Sequence, residues 1–274
     1  MQKYLAIILI FISACSSDIS SDSPEGYISL SPAVTEILFR LNADDKLVGV
    51  TDYCDYPDGV SEKESVGDMV NPSIEMIAYL NPETIFTAGE PQEKLAARLT
   101  DMGYNVVEAE SRSIQEIYDN ILKISEITGN PDEGERLVSE IKKEIAGIGK
   151  KLKNRDKKKV YVEISASPVM SPGKNSFLND VIKKAGGVNV SAGFDRSYVL
   201  SGEEFIVEKN PEVILILSEA GRGRKERMKR VFGREVDAAE KGDIYYVEEK
   251  ESIVRPGPRV SEGIRKMAEI IHSF

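Results

Sequence analysis

Residues 131–154 carry the feature that most restricts the fold. Leu137, Val138, Ile141, Ile145, Ile148 and Leu152 fall three or four apart, which makes one narrow apolar stripe on an otherwise polar helix. Asp132 and Glu133 open the stretch and Lys150, Lys151 and Lys153 close it, so the side-chain charges complement the helix dipole at both ends. At about 1.5 Å rise per residue the helix spans roughly 35 Å, the width of a small domain. Strands alternate with helices before it, and the alternation begins again after it. One stiff helix between two similar α/β halves implies two lobes on a fixed spacer, with a cleft between them.

Ahead of that helix, strands are expected at 27–30, 47–50, 84–87 and 104–107, with helices at 33–41, 73–80, 92–102 and 113–128. Ser31 and Pro32 suit the N-cap and first position of the first helix. Beyond it, strands are expected at 160–164, 213–217 and 243–247, with helices at 176–185, 203–209 and 260–271. Residues 165–175 read as a loop, 188–201 as mostly irregular, and 221–230 as a basic exposed stretch. Two segments match each other: 75–85 and 204–214 both read as helix, Asn-Pro-Glu turn, strand. A repeated unit in each half supports two lobes, each an α/β layer. Aliphatic strands alternating with helices imply mostly parallel sheets.

Composition removes several function classes. The chain has 274 residues and a net charge of −10, which argues against nucleic acid as a partner. It has one histidine, His272, so neither a metal site built on several histidines nor a His-dependent triad is expected. Ser31 follows a strand but lacks a Gly-x-Ser-x-Gly setting. No carboxylate pair stands out at catalytic spacing. The expectation is a protein that is not an enzyme and has no metal site of its own.

The first residues read as a targeting segment rather than fold. A positive start is followed by an apolar run over 4–12, too short to cross a bilayer, and then by Ile12-Ser13-Ala14-Cys15. Small residues directly before a cysteine resemble a lipoprotein signal. Residues 1–14 are then a signal peptide, and 15–26 a lipidated Cys15 with a polar tether. That places the protein outside the cytoplasm, anchored to the cell membrane, on the periplasmic side or the outer face. Cys54, the only other cysteine, has no partner and is expected to be a buried free thiol.

From Ile28 onward the chain resembles a known family. Ile28-Ser29-Leu30-Ser31-Pro32-Ala33-Val34-Thr35-Glu36-Ile37-Leu38 is similar to the opening of the cobalamin- and siderophore-binding proteins of ABC importers. Val48-Gly49-Val50-Thr51-Asp52-Tyr53-Cys54-Asp55-Tyr56-Pro57 resembles the cobalamin-binding branch more closely. Asn71-Pro72-Ser73-Ile74-Glu75, Ser171 to Phe177, Ala185-Gly186-Gly187-Val188-Asn189 and Arg255-Pro256-Gly257-Pro258-Arg259 continue the pattern in order. The resemblance implies the helical-backbone, class III plan: an α/β fold of two Rossmann-like lobes with mostly parallel sheets, joined by a single long rigid helix. The lobes then cover 27–130 and 157–274, with the connector at 131–156. It implies little hinge closure, and docking onto a membrane permease dimer with a cytoplasmic ATPase pair.

The cleft should be lined by loops that follow strands in each lobe. In the first lobe these are Ser31, the Tyr53 to Tyr56 loop, Asp68-Met69 and Gly89-Glu90, and the expected ligand contacts are Ser31, Tyr53, Tyr56, Asp68 and Met69. The tyrosines offer an apolar face and one polar tip to a large flat ligand. Some cobalamin binders place tryptophan near Asp68-Met69, and this chain has none. In the second lobe the loops 167–174, 194–199, 218–221 and 252–259 are expected in the cleft. Met170, Phe194 and Tyr198 are candidate apolar walls, and Arg196, Arg255 and Arg259 candidate donors to amide, phosphate or carboxylate groups. Glu75 and Glu204 stand at the same place in the repeat. The family implies that one glutamate at the top of each lobe pairs with permease arginines.

The reading is a lipid-anchored solute receptor for cobalamin or a related corrinoid, expected to be monomeric, with cobalt belonging to the transported ligand and no intrinsic cofactor. The alternative is a receptor for ferric siderophore or haem. Cleft arginines keep that alternative open. An extracellular α/β enzyme and a structural or adhesion lipoprotein rank behind both.

Overall fold

A computed structural model describes residues 23–90 and 92–273. The signal peptide and Cys15 lie outside the described residues. The first lobe runs β1 (Tyr27–Ser29), α1 (Pro32–Arg40), β2 (Leu47–Val50), β3 (Glu64–Ser65), α2 (Ile74–Leu80), β4 (Thr84–Thr87), α3 (Glu93–Asp101), β5 (Val106–Glu108) and α4 (Ile114–Ile127). The connector α5 is Pro131–Leu152. The second lobe holds β6 (Lys158–Glu163), the short strands β7 (Ser165–Ala166) and β8 (Val169–Pro172), α6 (Phe177–Lys184), β9 (Gly187–Asn189) and β10 (Tyr198–Leu200). It continues through α7 (Glu203–Lys209), β11 (Val213–Ile216), α8 (Gly221–Phe232), α9 (Asp237–Lys241), β12 (Ile244–Tyr246), α10 (Glu251–Val254) and α11 (Val260–His272).

The two main sheets share one strand order. The first is β3-β2-β1-β4-β5 and the second β12-β11-β6-β9, so β2-β1-β4-β5 matches β9-β6-β11-β12. All neighbours in both are parallel. Ile85 lies opposite Ile28 and Ile214 opposite Tyr161, and Ile85 and Ile214 hold the same place in the sequence repeat. The turns agree as well. Asn81 ends α2 at φ 45° and Asn210 ends α7 at φ 42°, a left-handed conformation that asparagine tolerates better than most residues. Proline follows each, cannot continue a helix, and releases the chain into the next strand.

The stripe on α5 is buried as its spacing predicts: Leu137, Val138, Ile141, Ile145, Ile148 and Leu152 all face inward. Each such side chain contributes roughly 1.5–3 kcal/mol of apolar burial. α5 packs on α4 and α11. One continuous apolar cluster therefore runs from Tyr27 and Phe86 through α4 and α5 to Val160, Leu215 and Ile264. Smaller clusters lie on the outer face of each sheet. Ile77 of α2 sits in one and Ile206 of α7, its repeat equivalent, in the other. The lobes are thus joined by a shared core and not by a bare helix.

Three stretches differ from expectation. Residues 165–175 form a hairpin, and Tyr198–Leu200 pairs antiparallel with β8 to make a small third sheet. These strands are short, and their pairing is non-local or crowded by Pro168, Pro172 and Gly173, so no period-two signal survives in sequence. The basic stretch from Gly221 is the helix α8, and α9 follows it. Only Met228 and Phe232, four apart, are buried on α8, an apolar face too narrow to announce a helix.

Candidate functional site

A cavity of about 930 Å³ lies between the lobes. That is near the top of the roughly 300–1,000 Å³ range of small-molecule sites. The first lobe lines it with the chain just beyond its strands: Ser31 to Ala33 after β1, Ala88 and Glu90 after β4, and Ala109 to Arg112 after β5. Parallel strands place such loops together at one sheet edge. The second lobe contributes Asn175 to Phe177, Arg196 to Tyr198, and Val254 to Pro256. Its wall is built by the third sheet and the α10 turn rather than by the ends of its parallel strands. The β7–β8 hairpin occupies the space beyond β6.

Ser31, Met69, Arg196, Tyr198 and Arg255 are expected contacts that line the cavity. Tyr53, Tyr56, Asp68, Met170, Phe194 and Arg259 are absent from its lining. Tyr53 is exposed, and the Tyr56 ring lies 3.9 Å from the Arg259 guanidinium. Asp68 accepts hydrogen bonds from the backbone N–H groups of Val70 at 2.7 Å and Asn71 at 3.0 Å, which hold its carboxyl below the usual range. Met170 sits within β8, opposite Leu200 and Ser165. Phe194 packs on Phe205 with ring centroids 5.8 Å apart. The loop 218–221 is also absent from the lining, and its Ser218 donates to Glu163 at 3.1 Å.

Several residues in or around the cavity were passed over in sequence. Arg112 donates to Glu110 at 2.7 Å and to Glu90 at 3.1 Å, so one wall carries a cluster with net negative charge. Glu110 and Arg112 follow β5, and the rule that loops beyond strands form the cleft would have found them. Tyr198 faces this cluster from the other lobe. Burial raises its phenol, and the charges of Glu90 and Glu110 raise it further. Gln92 is buried and fully bonded. Its Nε2 donates to the Leu30 carbonyl at 2.9 Å and the Met69 carbonyl at 2.6 Å, while Oε1 accepts from Ala88 N–H at 2.6 Å. One amide thus ties three cavity loops together.

Beside the cavity, Arg255 joins an inter-lobe contact. Glu36 of α1 is 1% exposed and receives Arg259 from the far lobe, and Arg255 reaches both Glu36 and Asp55. The Arg255 hydrogen bond holds the Asp55 carboxyl below the usual range. Cys54 nearby is a free buried thiol, 3.1 Å from the Thr35 hydroxyl.

Glu75 and Glu204 sit on the repeat helices. Glu75 is exposed in the first turn of α2, where the Ser73 hydroxyl caps the helix and donates to Glu75 at 3.2 Å. Glu204 is exposed in the first turn of α7. Its neighbour Glu203 is taken by Arg227 at 3.0 Å and Arg224 at 3.8 Å. Among the described residues Glu204 has no such partner.

A cavity between two lobes on a helical spine is suited to capture. Comparison with known proteins agrees. Residues 28–251 match the model of a family described as periplasmic binding protein. An uncharacterised ABC-transporter substrate-binding lipoprotein of Bacillus subtilis, YvrC, is 32% identical over 91% of this chain and 80% of its own length. The crystal structure of the periplasmic vitamin B12-binding protein BtuF of Vibrio cholerae superposes with a TM-score of 0.78 at 25% identity, covering 90% of this chain and 96% of that one. A possible iron-binding periplasmic solute-binding protein of Staphylococcus epidermidis gives 0.78 at 29% identity, covering 90% and 98%. With the site's geometry and the match over most of its length pointing the same way, the chain belongs to the periplasmic binding protein family, as a class III substrate-binding protein of an ABC importer.

Proposed function

We propose that this protein is a lipid-anchored receptor that binds cobalamin or a related corrinoid between its lobes and delivers it to an ABC permease. The observation that carries this reading is the inter-lobe cavity of about 930 Å³, whose walls mix apolar side chains with serine hydroxyls, Asn175 and arginines. A corrinoid edge carries many carboxamides, which need donors and acceptors in alternation, and this lining offers both. The likeness to the vitamin B12-binding protein of Vibrio cholerae supports the same ligand class. Cys15 would carry the lipid. Glu75 and Glu204 would meet arginines on the two permease subunits, with α5 as the fixed ruler between them, and the receptor would act as a monomer.

The second reading is a ferric siderophore or haem. Arg196 and Arg255 in the cavity and the likeness to the Staphylococcus protein support it. Haem would need an axial ligand, and Tyr198 and Met69 are the lining side chains able to supply one.

Titrating the purified protein with cyanocobalamin, followed by heat and absorbance, tests the assignment. Saturable binding at micromolar concentration or tighter is expected. No saturation there, with saturation by haem or a ferric catecholate or hydroxamate, would replace the first reading with the second.

A further inference from the structure

Arg255 belongs to the second lobe, yet its guanidinium is anchored by two carboxylates of the first. Its Nη1 donates to Asp55 at 2.6 Å and lies 3.4 Å from Glu36 Oε1, both in the first lobe. Among the described residues, its Nε and Nη2 have no hydrogen-bond partner, and the residue lines the cavity. A guanidinium has five N–H donors, so three remain for a ligand. The backbone is held too: Arg255 has φ −89° and ψ 121°, the extended region required of a residue before proline.

Glu36 is the centre of this arrangement. It projects from α1, 1% exposed, and both of its oxygens are engaged by Arg259 across the lobes. The loop that carries both arginines rests on α1, since a Cβ at Gly257 would lie 3.4 Å from Ala33 Cα. Two carboxylates, Glu36 and Asp55, balance two guanidiniums, Arg255 and Arg259, so the network is neutral as a unit. A buried carboxylate in such a place is costly unless its partners are fixed, and their fixing in turn limits where each guanidinium can go.

We propose that Glu36 is a positioning residue for the ligand: from the first lobe it fixes Arg259 and Arg255 of the second, so that Arg255 presents its remaining N–H groups to acceptor oxygens of the bound molecule. Those oxygens are carboxamide, phosphate or carboxylate. The inference rests on the reading of the cavity as the ligand site. Glu36 itself does not touch ligand and acts through Arg255.

The test is a double-mutant cycle in the full chain, with cyanocobalamin as probe, or haem or a ferric hydroxamate if that is what saturates. Glu36→Gln and Arg255→Gln are each expected to weaken binding about tenfold or more. The combined variant should bind no more weakly than Arg255→Gln alone, because a residue acting through Arg255 has nothing left to position. Folding of each variant is followed by thermal melting. Should Glu36→Gln fail to fold, the charge-balanced pair Glu36→Gln with Arg259→Gln replaces it, with the same loss expected. Unaltered affinity in the Glu36 variant, or losses that multiply in the combined one, would overturn the inference alone. No saturable binding of any probe by the unmodified protein would overturn the cavity reading and the inference with it.

Discussion

Arg259 grips Glu36 side-on across the lobes: its Nε donates to Oε2 at 2.9 Å and its Nη2 to Oε1 at 2.5 Å. The Tyr56 ring covers the same guanidinium at 3.9 Å. A two-toothed bond of this type sets distance and orientation together. With the shared core along α4 and α5, it leaves little freedom for a hinge. Structures with and without ligand should therefore show nearly the same lobe angle. A large rotation about α5 between the two states would refute this.

Removing one side of that pair should be costly. Arg259→Met leaves a buried carboxylate held by Arg255 alone, at a cost of about 3 kcal/mol of folding stability. Because Glu36 is shielded from solvent, most of the loss should persist in 1 M salt. Urea unfolding at low and high salt measures both numbers. A loss that disappears at high salt would mean the pair behaves as a surface contact.

Gly134 sets the spacing of α4 and α5. A Cβ there would overlap the Ser125 hydroxyl and lie 2.5 Å from Ser125 Cβ. Alanine gains about 1 kcal/mol of helix propensity, but overpacking costs about 1–3 kcal/mol. Gly134→Ala should therefore lower stability, and Ser125→Gly in the same chain should restore part of it. Melting temperatures of the single and double variants decide the sign.

Gln92 holds three loops at the cavity edge. Gln92→Leu strands two carbonyls and one N–H, and should cost about 2–4 kcal/mol. Ligand affinity should fall with it, because Leu30, Met69 and Ala88 lose their common anchor. Calorimetric titration beside urea unfolding reads both effects. Retained affinity would show that the loops hold without it.

His272 should make stability depend on pH. Burial lowers its pKa below the ordinary imidazole value of about 6.5, and its Nε2 lies 3.2 Å from the Ala185 carbonyl. The unfolded chain thus takes up this proton before the folded one. The contribution is fully present above about pH 6.5 and is lost as pH falls through the lower folded value. It is the sole histidine, so His272→Asn should flatten the slope of unfolding free energy between about pH 5 and 7. An unchanged slope would assign it elsewhere.

Charge reversal should separate docking from capture. Glu75→Lys and Glu204→Lys are expected to weaken permease association at least tenfold and leave ligand affinity unaltered, since both lie outside the cavity lining. Glu203→Lys would break its pairs with Arg224 and Arg227 and should show mainly as lost stability. Equal loss of ligand affinity in the first two variants would refute the division of labour.

The parts legible in sequence were those written in local periods. The stripe on α5 follows from residues three or four apart, the Asn-Pro-Glu repeat and the aliphatic parallel strands from short consecutive runs, and all stand in the fold. Within the site, the first-lobe loops were within reach because parallel strands gather them at one edge. Glu110 and Arg112, just beyond β5, fall under the same rule, whereas Gln92 needed more, since nothing in its neighbours' pattern marks an amide that ties three loops. The β8–β10 pair and the helix α8 escaped because short strands and a two-residue apolar face leave no repeat to detect.

The sequence by itself determined two α/β halves, their spacer and the equivalence of α2–β4 with α7–β11. It did so because burial periodicity is enforced residue by residue along the chain. Tertiary structure alone decided that Glu36 meets Arg259, 223 positions away, and that Phe194 and Met170 stand off the cavity while Tyr198 faces Glu90. Side-chain charge says what a residue can bind, but the partner it meets depends on how two lobes, each stable by its own periodicity, come to rest against one shared core.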